Sequence, residues 1–400
     1  MKITAVEIFD CDLNRKYPGI LPFNPVFCRV HTDAGVSGVG EAGIGYGAGT
    51  RASVGMLRDL APRLIGQDPM RVEAIWENLF RATFWGMSGG PIVYAAMSAL
   101  DIALWDIRAK ILGVPVYELL GGKTNESLRC YASQLQFGWD TESHAYTDPR
   151  DYARATRQAI DDGYDAVKVD PVMYSRDGKS LTLGGSGGQY FGLMRHDEIM
   201  MGRERLAAMR EEAGPDVDII LEIHSLFGTN AAIQFARAVE DLNIFYYEEP
   251  TMPLNTDCFA RVARESTLPV ATGERSYTRW GYRELLEKQA VAVIQPDLCI
   301  CGGITEGKKI CDYANIYDAT VQVHAAGGPV STAAALQVEA AIPNFIIHEH
   351  HTTALNECVI ELCVHNWQPE GGRFTVPDLP GIGQELNDKV VRDYLAHTIQ

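Results

Sequence analysis

The sequence runs to 400 residues with a formal net charge of −17, 46% hydrophobic and 22% charged residues. This is the composition of an ordinary folded protein, long enough for one large domain and a smaller one, and it excludes the disordered and fibrous classes. So acidic a surface repels phosphate backbones, so nucleic acid is not an expected partner, and an anionic substrate would need a strong local positive charge such as a metal ion.

The N-terminus, MKITAVEIFDCDL, alternates apolar and polar residues and reads as a strand rather than a signal peptide. A second strand follows at Val26–Thr32, then the Gly-rich turn and strand AGVSGVGEA. Ala95–Leu112 is apolar at helical spacing and is stopped by Gly113, with Pro115 beyond. No apolar run approaches the roughly 20 residues of a membrane span, so no membrane partner is expected. Nine cysteines with irregular spacing and no CxxC pair read as reduced thiols, and the cytoplasm is the expected location.

From about Leu128 short apolar runs alternate with helical stretches. The runs are Arg129–Ser133, Ala166–Asp170, Ile219–His224, Ile244–Glu248, Val270–Glu274, Ala292–Asp297, Thr320–His324 and Phe345–Glu349. Eight strands alternating with helices predict an α/β fold of the β/α-barrel type. The polar residues at or near the ends of the last six runs, at 222, 248, 274, 297, 324 and 349, are spaced by 26, 26, 23, 27 and 25 residues, one βα unit each. The long Gly-rich stretch Tyr174–His196 follows the second of these strands and is expected to be a lid on the catalytic face. After about Asn366 the chain becomes loop-like and is expected to end in a short helix.

Glu222, Glu248 and Glu274 close three consecutive strands, whose C-terminal ends meet at one mouth. Three carboxylates there repel one another unless a cation sits among them, and oxygen ligands without sulfur suit a hard ion such as Mg²⁺. Residues two apart on a strand share a face, so Glu222 is expected beside His224, and Lys168 beside Asp170. Of Glu248 and Glu249, only one can face inward. Asp297 and His324 end neighbouring strands; a carboxylate beside an imidazole fixes its tautomer and raises its basicity, which makes His324 a candidate general base. Glu349 lies in the run His348–His351, where alternation sends neighbours to opposite faces and argues against a zinc site. Facing the mouth, it could hydrogen-bond a substrate oxygen.

The segments ALDIALWDIRAKILGVPVYELLGG, YYEEP, VATGERS, QPDLCICGGITE and VQVHAAGGPVS occur in order, and with them the chain resembles the mandelate racemase-like branch of the enolase superfamily over nearly its whole length. The resemblance implies a modified TIM barrel, (β/α)7β, with an α+β capping domain: residues 1–125 as the cap, 126–366 as the barrel, and 367–400 packing back on the cap. It implies one Mg²⁺ held by Glu222, Glu248 and Glu274, although the first of these is commonly Asp in the branch. It further implies Asp297–His324 as the base dyad and Glu349 as the acid that contacts the substrate carboxylate. Racemases of the branch carry Lys-x-Lys where this chain has Lys168-Val169-Asp170, so the second base is missing. Sugar-acid dehydratases, such as those of the galactonate type, often carry Asp-x-His where this chain has Glu222-Ile223-His224, with the histidine as general acid. The implied reaction is dehydration of an aldonate or aldarate to a 2-keto-3-deoxy acid through an enediolate, by a homo-oligomer acting on a small-molecule substrate. Lys168 is assigned to the neighbourhood of the carboxylate or hydroxyls, and Asp170 to a substrate hydroxyl. Substrate length and stereochemistry are expected to be read by Tyr17–Asn24, Gly43–Gly49 and the Tyr174–His196 lid, with Trp85 either reaching the site or packing within the cap. The competing readings are an epimerase or cycloisomerase of the same superfamily, with Lys168 as second base, a metal-dependent aldolase on a barrel, and a non-catalytic regulator built on this fold.

Overall fold

In the computed structural model, residues 1–17, 23–181, 190 and 192–400 are described. Strands β1 (Ile3–Asp10), β2 (Val26–Thr32) and β3 (Ser37–Ala42) form an antiparallel sheet. The helix Gly90–Leu112 packs on this sheet; it begins five residues before the predicted Ala95, with Pro91 in its first turn, and ends at Gly113 in the left-handed conformation. By length and composition this helix could cross a membrane, but 72% of its apolar 18-residue stretch is buried inside the protein, which accounts for its apolarity. The Gly-rich run of β3 has a steric cause. A Cβ on Gly40 would lie 1.8 Å from the Ala99 carbonyl oxygen, and one on Gly38 2.1 Å from that of Ala103, so only glycine lets strand and helix approach this closely.

Eight parallel strands follow: β4 (Ser127–Ser133), β5 (Ala166–Val169), β6 (Asp218–Glu222), β7 (Ile244–Glu248), β8 (Val270–Thr272), β9 (Val293–Ile294), β10 (Thr320–Val321) and β11 (His348–His351). A helix follows each of the first seven, and β11 pairs with β4. The ring closes through a parallel bridge between Val321 and Phe345, with Val321 N–H donating to Asn344 O at 2.8 Å. The fold is therefore the expected α/β barrel. Several strands are shorter than expected because the polar residues that end them, Asp170, Glu274, Asp297 and His324, lie just past the last laddered residue.

Inside the barrel, Tyr131, Ala166, Ile220, Tyr246, Ala271, Val293 and Ile347 make an apolar floor. Two residues further along their strands stand Ser133, Lys168, Glu222, Glu248, Gln295 and Glu349, all buried. The pleat thus places a polar layer directly above the apolar one.

Carboxylates of the N-terminal region join it to the barrel. Glu41, at the end of β3, accepts from Gly328 N–H (2.6 Å) and Ser331 N–H (2.9 Å) at the start of the helix Pro329–Ala340. Asp101 accepts from Thr305 N–H (2.9 Å) and Thr305 Oγ1 (2.6 Å) in the first turn of the helix Gly303–Ile316. Both satisfy orphan helix N–H groups and meet the positive end of the helix dipole. The C-terminal segment differs from expectation. Its short helix Asp388–Val391 is not the end; the strand β12 (Leu395–Ile399) follows and pairs antiparallel with β1, giving the order β12-β1-β2-β3. Alternation over so few exposed residues carried no readable period.

Gly40→Ala should lower the unfolding free energy by about 1–3 kcal/mol, the usual cost of overpacking. Urea denaturation measures it, and an unshifted midpoint would contradict the close approach of β3 to the helix.

Candidate active site

The site is built on the polar layer. Glu222, Glu248 and Glu274 each bring a carboxylate oxygen to a point where the three atoms lie within 4.8 Å of one another. Glu222 and Glu248 end their strands in the ladder, and Glu274 sits two residues past β8. Glu222 Oε1 turns back to accept from Ile223 N–H (2.9 Å) and His224 N–H (2.6 Å). The longer side chain, where the branch commonly has Asp, is anchored on its own backbone in this way. Its Oε2, and Oε2 of Glu248, are buried without a hydrogen-bond partner. Buried acceptors left unsatisfied are costly, and three convergent hard oxygens are the donor set that Mg²⁺ takes. The residues therefore fit a divalent cation.

Lys168 lies beneath this cluster, fully buried. Its Nζ is 2.8 Å from Glu248 Oε1, 3.0 Å from Glu349 Oε1 and 3.6 Å from Glu222 Oε2. Burial works against its charge, but those three carboxylates outweigh it and hold its pKa well above the ordinary lysine value. Lys168 is thus a counterion to the layer. Glu349 accepts from Ser133 Oγ (2.7 Å) and from Ala325 N–H (3.0 Å). Despite burial, Lys168 and His324 hold its carboxyl well below the usual range, so it stands as an acceptor.

His324 Nδ1 is 2.8 Å from Asp297 Oδ2, and Asp297 Oδ1 accepts from Cys299 N–H at 2.7 Å. The other ring nitrogen, Nε2, is 3.1 Å from Glu274 Oε2. Burial lowers the imidazole pKa, but Glu274, Glu349 and Asp297 overcome this and push it up to about 10. On the opposite side, His224 Nδ1 is 2.7 Å from Asp170 Oδ2 and 3.9 Å from Glu222 Oε1. Burial again opposes its charge, and Glu222 and Asp170 outweigh it.

Two expectations about this corner are corrected. His224 is brought beside Glu222 not by strand alternation but by a turn: β6 has ended, and His224 and Ser225 adopt φ of 46° and 60°. Left-handed backbone at two non-glycine residues is the strain often found at functional sites. Asp170 is not placed to meet a substrate hydroxyl. It is fully buried, with Oδ1 accepting from Val172 N–H (3.0 Å) and Oδ2 spent on His224.

Other expectations resolve simply. Glu249 faces away from the cluster, to Ser225 Oγ and Arg275, and Arg275 Nη1 also lies 2.5 Å from Glu274 Oε1. His348 and His350 point outward, to Glu339 Oε2 (2.5 Å) and Tyr164 Oη (2.5 Å), while Glu349 faces in, so the histidine run is no zinc site. In Gly43–Gly49, Gly43 N–H donates to Cys299 O (2.9 Å) and Tyr46 reaches His351 and Thr353 at the end of β11, which puts that loop over the mouth. Of Tyr17–Asn24, residues 18–22 lie outside the described residues, as do 182–189 and 191 of the expected lid. Trp85 is 70% exposed and pairs edge-on with Phe84, away from the packed core of the N-terminal region. Arg275 and Tyr46 were not singled out from the sequence; the adjacency of Arg275 to Glu274 was the available signal for the first.

With this geometry the comparisons agree. Residues 23–121 match the N-terminal domain of mandelate racemase / muconate lactonizing enzyme, and residues 151–390 match the enolase C-terminal domain-like family. The chain belongs to the mandelate racemase/muconate lactonizing enzyme family of the enolase superfamily. A D-xylonate dehydratase of Haloferax volcanii is 32% identical, over 98% of this chain and 89% of that protein, and a D-galactonate dehydratase of Ralstonia nicotianae is 32% identical over 93% and 91%. A solved structure of a member of the enolase superfamily from Salmonella Typhimurium is 49% identical, with a TM-score of 0.94 and complete coverage of both chains.

Calorimetric titration with Mg²⁺ should reveal one site per chain. Glu248→Gln should weaken it by about 10²-fold or more, since loss of an outer-shell partner alone costs 10–100-fold. Stripping the ion with EDTA should lower stability by about 2.7 kcal/mol relative to Mg²⁺ at 100 times its Kd. Binding unaltered in the Glu248 variant would remove that residue from the ligand set.

Proposed function

We propose that this protein dehydrates a sugar acid, an aldonate or aldarate, to the 2-keto-3-deoxy acid. The observation that carries the reading is a pair of histidines, His324 and His224, each backed by an aspartate and both beside one cluster of three glutamates. Two proton-transfer groups suit a reaction that removes a proton from one carbon and a hydroxyl from the next. The names of the relatives, D-xylonate and D-galactonate dehydratase, support the same class of substrate.

Mg²⁺ held by Glu222, Glu248 and Glu274 would supply positive charge against the negative charge that develops on the substrate carboxylate. The pull of Glu274 that keeps His324 protonated would be relieved by a cation among the glutamates; Nε2 then takes the proton from C2, and Asp297 holds the imidazole in the required orientation. His224 donates a proton to the 3-hydroxyl, which departs as water. The electron pair of the C2–H bond passes first into the carboxylate, giving an enediolate that can be reprotonated, and then becomes the C2–C3 double bond as the C3–O bond breaks. The resulting enol tautomerises to the 2-keto acid. Glu349, held in place by Ser133 and Ala325, borders the substrate carboxylate. An epimerase needs a second base, and Lys168, locked as a cation among three carboxylates, is poorly suited to that task. The division into a cap (1–125), a catalytic barrel (126–366) and a returning segment (367–400) follows this reading. The nine free cysteines suit a reducing compartment such as the cytoplasm.

The test is a screen of aldonates and aldarates for keto-acid formation, followed in deuterated water. His324→Asn should abolish exchange of the substrate α-proton, while His224→Asn should stop dehydration and leave His324 able to exchange that proton. Full exchange in the His324 variant would make another residue the base. A wild-type protein that forms no keto acid from any sugar acid would refute the reading.

A further inference from the structure

The mouth of the barrel contains the same local device twice. At the end of β9, Asp297 folds its Oδ1 onto the N–H two residues ahead (Cys299, 2.7 Å) and offers Oδ2 to Nδ1 of His324 (2.8 Å). At the end of β5, Asp170 folds its Oδ1 onto the N–H two residues ahead (Val172, 3.0 Å) and offers Oδ2 to Nδ1 of His224 (2.7 Å). In each case the backbone N–H fixes one oxygen, so the other can only face the imidazole. Asp170 is fixed further by its own N–H, which donates to Gln136 Oε1 at 3.0 Å. The arrangement is more than a turn that happens to lie near a histidine. His224 Nε2 has no partner among the described residues and, unlike Nε2 of His348 and His350, is not sealed from solvent.

We infer that Asp170 is a positioning residue, which holds His224 with the proton on Nδ1 and Nε2 turned to the substrate. This rests on the dehydratase reading for its consequence, though not for its geometry. A carboxylate has no hydrogen to give, so Nδ1 must carry one for the 2.7 Å contact to form. With Nδ1 tied to Asp170, Nε2 is the nitrogen left facing the departing hydroxyl, and the ring is held in the orientation from which it delivers a proton there. Where racemases of the resembling branch carry a second lysine base, this chain carries the residue that aims its acid. The two dyads divide the labour: one receives a proton, the other gives one.

Replacement by asparagine has a defined outcome. Val172 N–H requires the amide oxygen at Oδ1, which leaves the amide NH₂ facing His224. Nδ1 must then accept, and the ring is held in the other tautomer. The orientation and tautomer that Asp170 imposes are lost although the side chain keeps its shape, so proton delivery should fail.

The test compares wild type, Asp170→Asn, Asp170→Glu and His224→Asn. Nitrogen-15 NMR of the histidine-labelled, metal-free protein should show a proton on His224 Nδ1 in wild type, assigned by its loss in His224→Asn, and none there in Asp170→Asn. In deuterated water, with whichever of D-galactonate, D-xylonate or D-gluconate the wild type dehydrates, the keto acid formed per α-proton exchanged should fall about 10²-fold or more in Asp170→Asn, the scale of a lost general acid. Asp170→Glu should recover part of it. This ratio counts only active molecules, so partial misfolding does not move it. A wild-type ratio in Asp170→Asn, or an unchanged Nδ1 proton, would overturn the inference. If the wild type dehydrates neither these acids nor any other aldonate or aldarate of the screen, the dehydratase reading fails, and the NMR experiment decides the role of Asp170 by itself.

Discussion

The charge balance of one buried layer governs this structure. Glu222, Glu248 and Glu349 stand on the inner face of a closed barrel with an apolar floor beneath them, and a single buried ammonium, Lys168, lies among them. Taking ions out of water costs several kcal/mol each, and the loss is offset only where opposite charges and hydrogen bonds surround them. One cation cannot neutralise three carboxylates, and Glu274 at the rim adds a fourth. The surplus negative charge makes the mouth a cation trap, and it also explains the high pKa of His324, which is drawn into the role of a counterion through Glu274. On a chain with a net charge of −17, a cation held in that trap would be what lets an anionic ligand approach.

Much of this was legible in the sequence because a barrel repeats. Once per βα unit the chain leaves the interior at the same rim, so acids spaced by about one unit could be assigned to a common mouth without knowing any distance. Val26–Thr32 matched its strand to the residue. Local chemistry at the rim was less legible. Alternation gave the correct neighbour for His224 by the wrong route, because the left-handed turn there depends on Glu222 capturing two N–H groups of its own chain. Asp170 read as a partner for a substrate hydroxyl because its partner lies just past the end of the next strand, and nothing in Asp-Pro-Val announces that one oxygen will be anchored by the valine N–H. Such pairings are fixed by how adjacent strands sit side by side, not by any period within one strand.

The connection between the N-terminal region and the barrel has the same logic of buried acids with assigned partners. Glu41 and Asp101 close the N-termini of two barrel helices, and β3 can reach them only because Gly38 and Gly40 let it lie flat on the helix Gly90–Leu112. The loop Gly43–Gly49 continues directly from Glu41 and hangs over the mouth, with Tyr46 against His351. Small residues on a remote strand therefore set the height of the roof above the reacting groups.

The pairing of Val6 with Ile399 has a consequence for folding. β1 has an open edge until Leu395–Ile399, distant from it in sequence, docks beside it, so its sheet stays incomplete until a late contact forms. During that interval β1 presents unpaired backbone groups, the kind of edge that invites association with another chain. Docking of Leu395–Ile399, rather than pairing among β1, β2 and β3, is the event that closes the first sheet.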